Sequence, residues 1–357
     1  MQQCILKLTQ CIENNSMKLE KRIEILTLLG DYLSTDSPLY QAVRIRAHAE
    51  NKWFLPEYSW KAGKSIADHM LRKDVLEAFA TKYQVPNMPN PALKTGIVFA
   101  GNIPFVGLHD LICCFLFGYQ SVIKLSSKDA ILTKEIANVL INADPQMKSY
   151  ITISEMLKGC NAYLATGSNN SARYFEYYFN KYPHIIRKNK TSVAILNGSE
   201  SAEELDKLAD DVQLYFGLGC RNVTQIFVPV GYDFLPLLNA LRKYQHYAEH
   251  DKYKNNFDYQ LTIAIMNNKF YMSNDSIVLL ENPHPFSPIS QLHYQFYGDK
   301  KSVLDQLNME EIQCIVGDGF IPFGAAQDPG LEDFADGVNT MEFLKTLSNN
   351  SLAAKAP

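Results

Sequence analysis

Three short turns carry the side chains best suited to chemistry. In "FAGNIPFVGLHD" a β-prone run ends at Gly101-Asn102, and Pro104 leads toward a helix. An Asn at a strand's end can aim its amide N–H at a substrate oxygen, the geometry that stabilises an oxyanion. An Asx turn uses the same residue without chemistry and is the commoner outcome. In "ATGSNNSARYF" a strand gives way to Thr166-Gly167-Ser168 and then to a helix. A helix N-terminus of that kind offers N–H groups and a positive dipole end to a phosphate or to the polar edge of a nucleotide, although Ser and Asn there also serve as plain caps. In "LYFGLGCRNVTQIFVP" Cys220 follows Gly217 and Gly219, after an amphipathic helix and before a β-prone run. So tight a connection presents a thiol rather than packing it, and Arg221 or a nearby helix N-terminus favours the thiolate. Cys4, Cys11, Cys113, Cys114, Cys160 and Cys314 read instead as small core residues.

The elements that must position these turns are legible in the hydrophobic periodicity. Helical spacing recurs in "MKLEKRIEILTLLGDYL" and in "SIADHMLRKDVLEAFATKY", and the proline-rich "QVPNMPNPALKTG" closes a helical N-terminal region. From Gly96 onward β-prone runs alternate with helical ones. "GIVFAG", "SVIKL", "AYLATG", "SVAIL", "TQIFVPV", "LTIAIM", "SIVLL" and "QCIVG" read as strands; segments near 108–117, 130–141, 172–179, 201–216 and 234–247 read as helices. Asn339, with Glu342 three residues on, marks a last helix, and the final "SLAAKAP" reads as frayed. The fold class is α/β with a parallel sheet, in which ligands sit at the carboxyl ends of strands.

Composition narrows the function classes. The chain has 357 residues, 46% of them apolar, with 34 Lys and Arg against 38 Asp and Glu. That balance argues against a nucleic-acid binder or a membrane-surface protein. The densest apolar patch, "LICCFLFGY", is nine residues long, too short to span a bilayer. With no signal-like N-terminus and seven scattered cysteines, a cytoplasmic protein with reduced thiols and no metal site is expected. No G-x-G-x-x-G occurs.

Five segments in order resemble the aldehyde dehydrogenase superfamily, and most closely its LuxC-like long-chain acyl-CoA reductases: "GNIP", "SVIKLSSKD", "ATGS", "GLGCRNVTQIFVP" and "PHPFSPIS". The resemblance runs from about Gly96 to Leu344, and the ending "PFGAAQDPGLEDFADGVNTMEFL" shares it. It implies a Rossmann-type cofactor domain and a second α/β catalytic domain beside the helical N-terminal region. The expected boundaries are 1–90 for that region, 91–190 for the cofactor domain with 320–357 returning to it, and 191–319 for the catalytic domain. It also implies that Cys220 is the nucleophile, that Asn102 is an oxyanion donor, and that Lys124 holds the adenosine ribose. Thr166, Gly167 and Ser168 would lie near the nicotinamide half, and Phe286 against its ring.

Departures from the family pattern are informative. Aldehyde-oxidising members carry a general-base Glu upstream of the cysteine; aligning their K-S with Lys190-Thr191 puts Ile186 in its place. Without a carboxylate to activate water, a thioester intermediate survives to meet hydride or CoA, which suits reduction. NAD-preferring relatives place an acid three residues beyond the ribose-binding Lys, where this chain has Ser127 followed by Lys128. Ser126, Ser127 and Lys128 can receive a 2′-phosphate, so NADPH is expected, with NADH the alternative and a solvated helix start the plain reading of Lys128. His284 stands where the family has a ribose-binding Glu, and can donate one hydrogen bond. His109 and His184 read as structural. The aromatic run "YFEYYFNKY" reads either as the lining of an alkyl channel or as core or subunit interface.

The resulting expectation is a homo-oligomeric, NADPH-dependent reductase of fatty acyl-CoA or acyl-protein thioesters, with an acyl-activating ligase as a candidate partner. A cysteine acyltransferase or thioesterase, and a non-catalytic acyl-binding subunit of the same fold, are the alternatives.

Overall fold

The computed structural model describes residues 17–88 and 93–353. Cys4, Cys11, Pro89, Pro91 and residues 354–357 lie outside the described residues, so the frayed end expected there goes undescribed. The chain forms two compact units: residues up to Lys188 with those from Gly330 onward, and Asn189–Pro329.

The first unit opens with helices α1 (Leu19–Ser34), α2 (Pro38–Glu50), α3 (Pro56–Met70) and α4 (Lys73–Lys82). In α1, Ile23, Leu26, Leu29, Leu33 and also Ile25 are buried, the stripe that a 3.6-residue period gives. Ser37 caps α2, accepting the Tyr40 N–H, with Pro38 in the first turn. The periodic run at 65–83 is broken at Leu71, which packs on Gly30 so closely that a Cβ there would lie 2.9 Å from Leu71 Cβ. A five-stranded parallel sheet follows, in the order β3-β2-β1-β4-β5. Its strands are β1 (Lys94–Val98), β2 (Gln120–Lys124), β3 (Ile151–Ile153), β4 (Ala162–Thr166) and β5 (His184–Arg187). Between them run α5 (Leu108–Leu116), α6 (Ala130–Ala143), the single turn α7 (Met147–Tyr150) and α8 (Asn169–Phe179). The dense apolar patch is the almost wholly buried α5. Its one acid, Asp110, accepts from Arg187 Nη1 at 2.5 Å and Nη2 at 2.9 Å in a buried pair. The chain returns with α9 (Thr340–Ala353), where Asn339 Oδ1 accepts the Glu342 N–H at 3.0 Å and Tyr119 donates to the Leu344 carbonyl.

The second unit is a six-stranded sheet in the order β11-β6-β7-β10-β9-β8, parallel except for β8 against β9. Its strands are β6 (Thr191–Ile195), β7 (Val223–Pro229), β8 (Tyr271–Ser273), β9 (Val278–Glu281), β10 (Gln291–Tyr297) and β11 (Ile312–Gly317). One expected strand is a helix: "LTIAIM" ends the α-helix Asp251–Met266. The helix is capped by His250, whose ring accepts the Tyr253 N–H, and it seats Ala264 on Val278 and Leu280. Tertiary packing and a capped start outweigh the weak β preference of two isoleucines and a threonine. The helix expected near 234–247 is a seven-residue α-helix, Leu235–Leu241, continued as 3-10 helix through Glu249. Among the described residues no helix is long and apolar enough to cross a membrane.

Candidate functional site

In the first unit the singled-out residues gather at one end of the sheet. Asn102 follows β1, Lys124 ends β2 with Ser126, Ser127 and Lys128 beyond it, and Thr166 ends β4 with Gly167 and Ser168 next. β1 pairs in parallel with β2 on one side and with β4 on the other. The crevice between β1 and β4 is therefore the switch point where strand order reverses, the place where open α/β sheets bind ligands. Asn102, Lys124, Ser127, Lys128 and Ser168 are exposed there, while Thr166, Gly167 and Ser126 are half-buried. Ser168 caps α8, its Oγ accepting the Ser171 N–H at 3.3 Å. A Cβ on Gly101 would lie 2.9 Å from Ser126 Cβ and 3.0 Å from Lys128 Cβ, so the turns after β1 and β2 touch backbone to side chain. Ile186, midway along edge strand β5, is half-buried.

In the second unit Cys220 is half-buried on the connection into β7. The helix Ala202–Gln213 ends in a 3-10 turn in which Tyr215, Phe216 and Gly217 have φ of 56°, 60° and 71°. Two non-glycine residues in the left-handed region cost on the order of 1–3 kcal/mol each, so the surroundings must enforce the turn. Asn222 does so. It is fully buried; its Oδ1 accepts the Gly219 N–H at 2.8 Å, and its Nδ2 faces the carbonyls of Asp211, Val212 and Leu214 at 3.0, 3.3 and 2.9 Å. Ser192 Oγ donates to the Cys220 carbonyl at 3.0 Å and lies 3.0 Å from Cys314 Sγ, so the Cys314 thiol serves the turn as a donor. Asp211 ties in the segment beyond β11, accepting from Gly324 N at 2.6 Å and Ala326 N at 3.1 Å. Burial pushes its carboxyl up to about 7 against the pull of those two donors.

The segment holding His284 and Phe286 crosses the start of β7. Thr224 Oγ1 donates to the Pro285 carbonyl at 2.5 Å, and Gln225 Nε2 to the Asn282 carbonyl at 3.0 Å. The 282–286 turn is thus anchored on the start of β7, the strand that begins three residues after Cys220. The His284 ring does not point away from its own chain: Nδ1 accepts the Phe286 N–H at 3.2 Å. His293, buried on β10, donates from Nδ1 to the His284 carbonyl at 2.6 Å, and burial lowers its basicity. Gln213 and Phe216 line a recess of about 20 Å³ with Thr224, Tyr253 and Gln291, room for one water molecule.

Other side chains hold the structural places assigned to them. His109 Nε2 bonds the Leu331 carbonyl and His184 Nδ1 the Tyr182 carbonyl. Cys113, Cys114 and Cys160 are buried thiols, and burial raises all three, Cys114 to about 12. On α8, Tyr174, Tyr177 and Tyr178 are 65–76% exposed, which removes them from any channel wall within the unit, while Phe179 stacks on Tyr163 at 4.1 Å. Sequence reasoning passed over Asp129, Ser192, Asp211, Asn222 and His293, polar residues whose burial only the fold reveals. Among the described residues no cluster of three His, Cys, Asp or Glu side chains is arranged to hold a metal.

The sequence matches no protein-family model and no curated protein. Solved structures do match. An NAD-dependent aldehyde dehydrogenase from Sinorhizobium meliloti aligns over 84% of this chain and 70% of its own, with TM-score 0.65 at 10% identity. Succinic semialdehyde dehydrogenase from Streptococcus pyogenes, solved with NADP+, aligns over 84% and 79%, with TM-score 0.61 at 13% identity. The indole-3-acetaldehyde dehydrogenase AldA of P. syringae, solved with NAD+, aligns over 82% and 70%, with TM-score 0.62 at 12% identity. The chain has the aldehyde dehydrogenase-like α/β fold, with a Rossmann-like parallel sheet in its first unit.

Proposed function

We propose that the chain is an NADPH-dependent reductase of fatty acyl thioesters that works through a Cys220 acyl-enzyme. The observation that carries the reading is the Cys220 turn: a half-buried thiol three residues past the left-handed stretch Tyr215–Gly217, in a connection that the buried Asn222 amide holds against strain. Strain of that kind is retained where a reactive group must be presented. The nicotinamide cofactors of the fold's neighbours, NAD+ in one and NADP+ in another, support the cofactor class.

The first unit fits such a group, because exposed Lys124, Ser127, Lys128 and Ser168 put cationic and hydroxyl donors at the carboxyl ends of β2 and β4. Lys124 would hold the adenosine ribose; Ser126, Ser127 and Lys128 the 2′-phosphate; Thr166, Gly167 and Ser168 the nicotinamide side, with His284 and Phe286 contributing as the resemblance implies. The sulfur of Cys220 adds to the thioester carbonyl and expels the CoA or carrier thiolate, which takes up a proton. As the resemblance implies, Asn102 and the Cys220 N–H would donate to the oxygen that becomes negative. NADPH, when held there, would supply the hydride that reduces the acyl carbon. Cys220 then leaves as thiolate, freeing the aldehyde. Ile186, in the place of a base, leaves water unactivated, which favours this direction over hydrolysis.

NADPH oxidation with tetradecanoyl-CoA, compared between the native chain and Cys220→Ala, is the test. A reductase consumes NADPH only with the thiol present. CoA release without NADPH use would mark a thioesterase or acyltransferase, and no reaction by either protein would mark an acyl-binding subunit.

A further inference from the structure

Asp129 stands at the N-terminal boundary of α6, where an Asp ordinarily accepts a hydrogen bond from its own helix's first turn. Its side chain makes no such cap. The residue is 3% exposed, and its Oδ2 accepts the Phe105 N–H at 2.9 Å, 24 residues away in sequence. Oδ1 is buried and has no hydrogen-bond partner among the described residues. A forgone cap and an orphaned acceptor both cost stability, so the carboxyl is kept for what it does to Phe105.

Phe105 lies three residues beyond Asn102 at φ 64°, a conformation a bulky residue keeps only when its surroundings impose it. Its ring reaches α3, where a Cβ on Gly63 would lie 3.5 Å from it. On the other side of Asp129, the Lys128 N–H bonds Ser126 Oγ at 3.2 Å, and the Lys128 carbonyl accepts from Asn51 Nδ2 of the α2 end at 3.2 Å. With Gly101 packed against Ser126 and Lys128, the two turns share one set of contacts.

We propose that Asp129 is a positioning residue that ties the Asn102 turn to the Ser126-Ser127-Lys128 turn, holding the segment read as oxyanion donor in register with the segment read as cofactor-binding. The roles of the two turns rest on the function proposed above; the tie does not. It makes the β1 and β2 turns move as one piece, so loosening either loosens both.

Amide hydrogen exchange on the full chain without ligand, comparing wild type, Asp129→Ala and Asp129→Asn, tests the tie. In Asp129→Ala, exchange over 101–107 and 126–130 should rise together by about tenfold or more, since a buried N–H loses its acceptor. Asp129→Asn should restore protection, because its amide oxygen accepts the same N–H. An unchanged Phe105 amide in Asp129→Ala, or equal loss in both variants, overturns the proposal. If Asp129→Ala does not fold, denaturant-dependent exchange of the wild type decides: the Phe105 amide and those of 128–133 must share one opening, and separate openings refute the tie. NADPH affinity and kcat should fall in Asp129→Ala and recover in Asp129→Asn. A wild type that neither binds nor oxidises NADPH refutes the functional reading alone, because the exchange result stands without it.

Discussion

Replacing Asn222 by Ala tests how the Cys220 turn is held. The side chain's two amide hydrogens serve three carbonyls and its oxygen takes the Gly219 N–H, so truncation removes at most three hydrogen bonds at a fully buried site. At about 1 kcal/mol each the loss is about 3 kcal/mol. Relaxation of Tyr215 and Phe216 out of the left-handed region returns part of that, because each stores on the order of 1–3 kcal/mol only while the hub enforces it. A net destabilisation of about 2 kcal/mol is expected, a fall of roughly 4–8 °C in the melting temperature of the second unit. The relaxation also displaces Cys220, so its alkylation by iodoacetamide in the native state should change rate by several-fold while the buried cysteines stay unmodified. Urea unfolding and peptide mass spectrometry read the two effects. An unfolding free energy within about 0.5 kcal/mol of wild type together with unchanged alkylation would refute the view that this amide holds the turn.

Stability should depend on pH through two buried acids. Burial pushes Asp211 up to about 7 and Asp129 up to about 8, both above the unfolded value of about 3.9. The folded state therefore keeps protons the unfolded chain has lost, and that stabilisation is full below about pH 4 and lost as pH rises through about 7 and about 8. The urea midpoint should drop between pH 5 and 8.5, less steeply in Asp129→Asn; equal slopes would show that Asp129 is ionised throughout. Lys128→Glu should move cofactor preference from NADPH toward NADH, and an unchanged ratio of kcat/KM values would take Lys128 out of the site. Asn102→Ala should lower kcat by roughly 10²- to 10³-fold with folding intact; an unchanged kcat would remove its oxyanion role.

Much of the scaffold could be read from periodicity. The buried α5 and the parallel strands β1, β2 and β4 are short segments with apolar centres bounded by turn residues, and the turns after β1, β2 and β4 carry Asn102, Lys128 and Ser168. Strand β10 could not be read this way. "QLHYQFY" buries Gln291 and His293 in the middle of a sheet, where each is satisfied by partners distant in sequence or folded back onto its own strand. The "LTIAIM" segment erred in the other direction: locally β-prone, it is helical because its preceding turns are capped and its Ala264 fits against β9.

The supporting residues were illegible for a more general reason. Asp129, after Ser-Ser-Lys and before a helix, reads as an ordinary cap, and Asn222 sits in "CRNV" without any period. Both identities are decided by bonds that exist only in the folded chain. Yet each lies one or two positions from a side chain that was singled out, Lys128 in one case and Cys220 in the other. An exposed or half-buried side chain on a turn cannot be held by packing around itself, since one side of it faces solvent. Its backbone must be fixed by an adjacent residue that turns inward and spends its hydrogen bonds on the turn. Asp129 does this through Phe105 and Asn222 through Gly219 and three carbonyls, so in both units the outward-facing candidate and its inward-facing neighbour form the working pair.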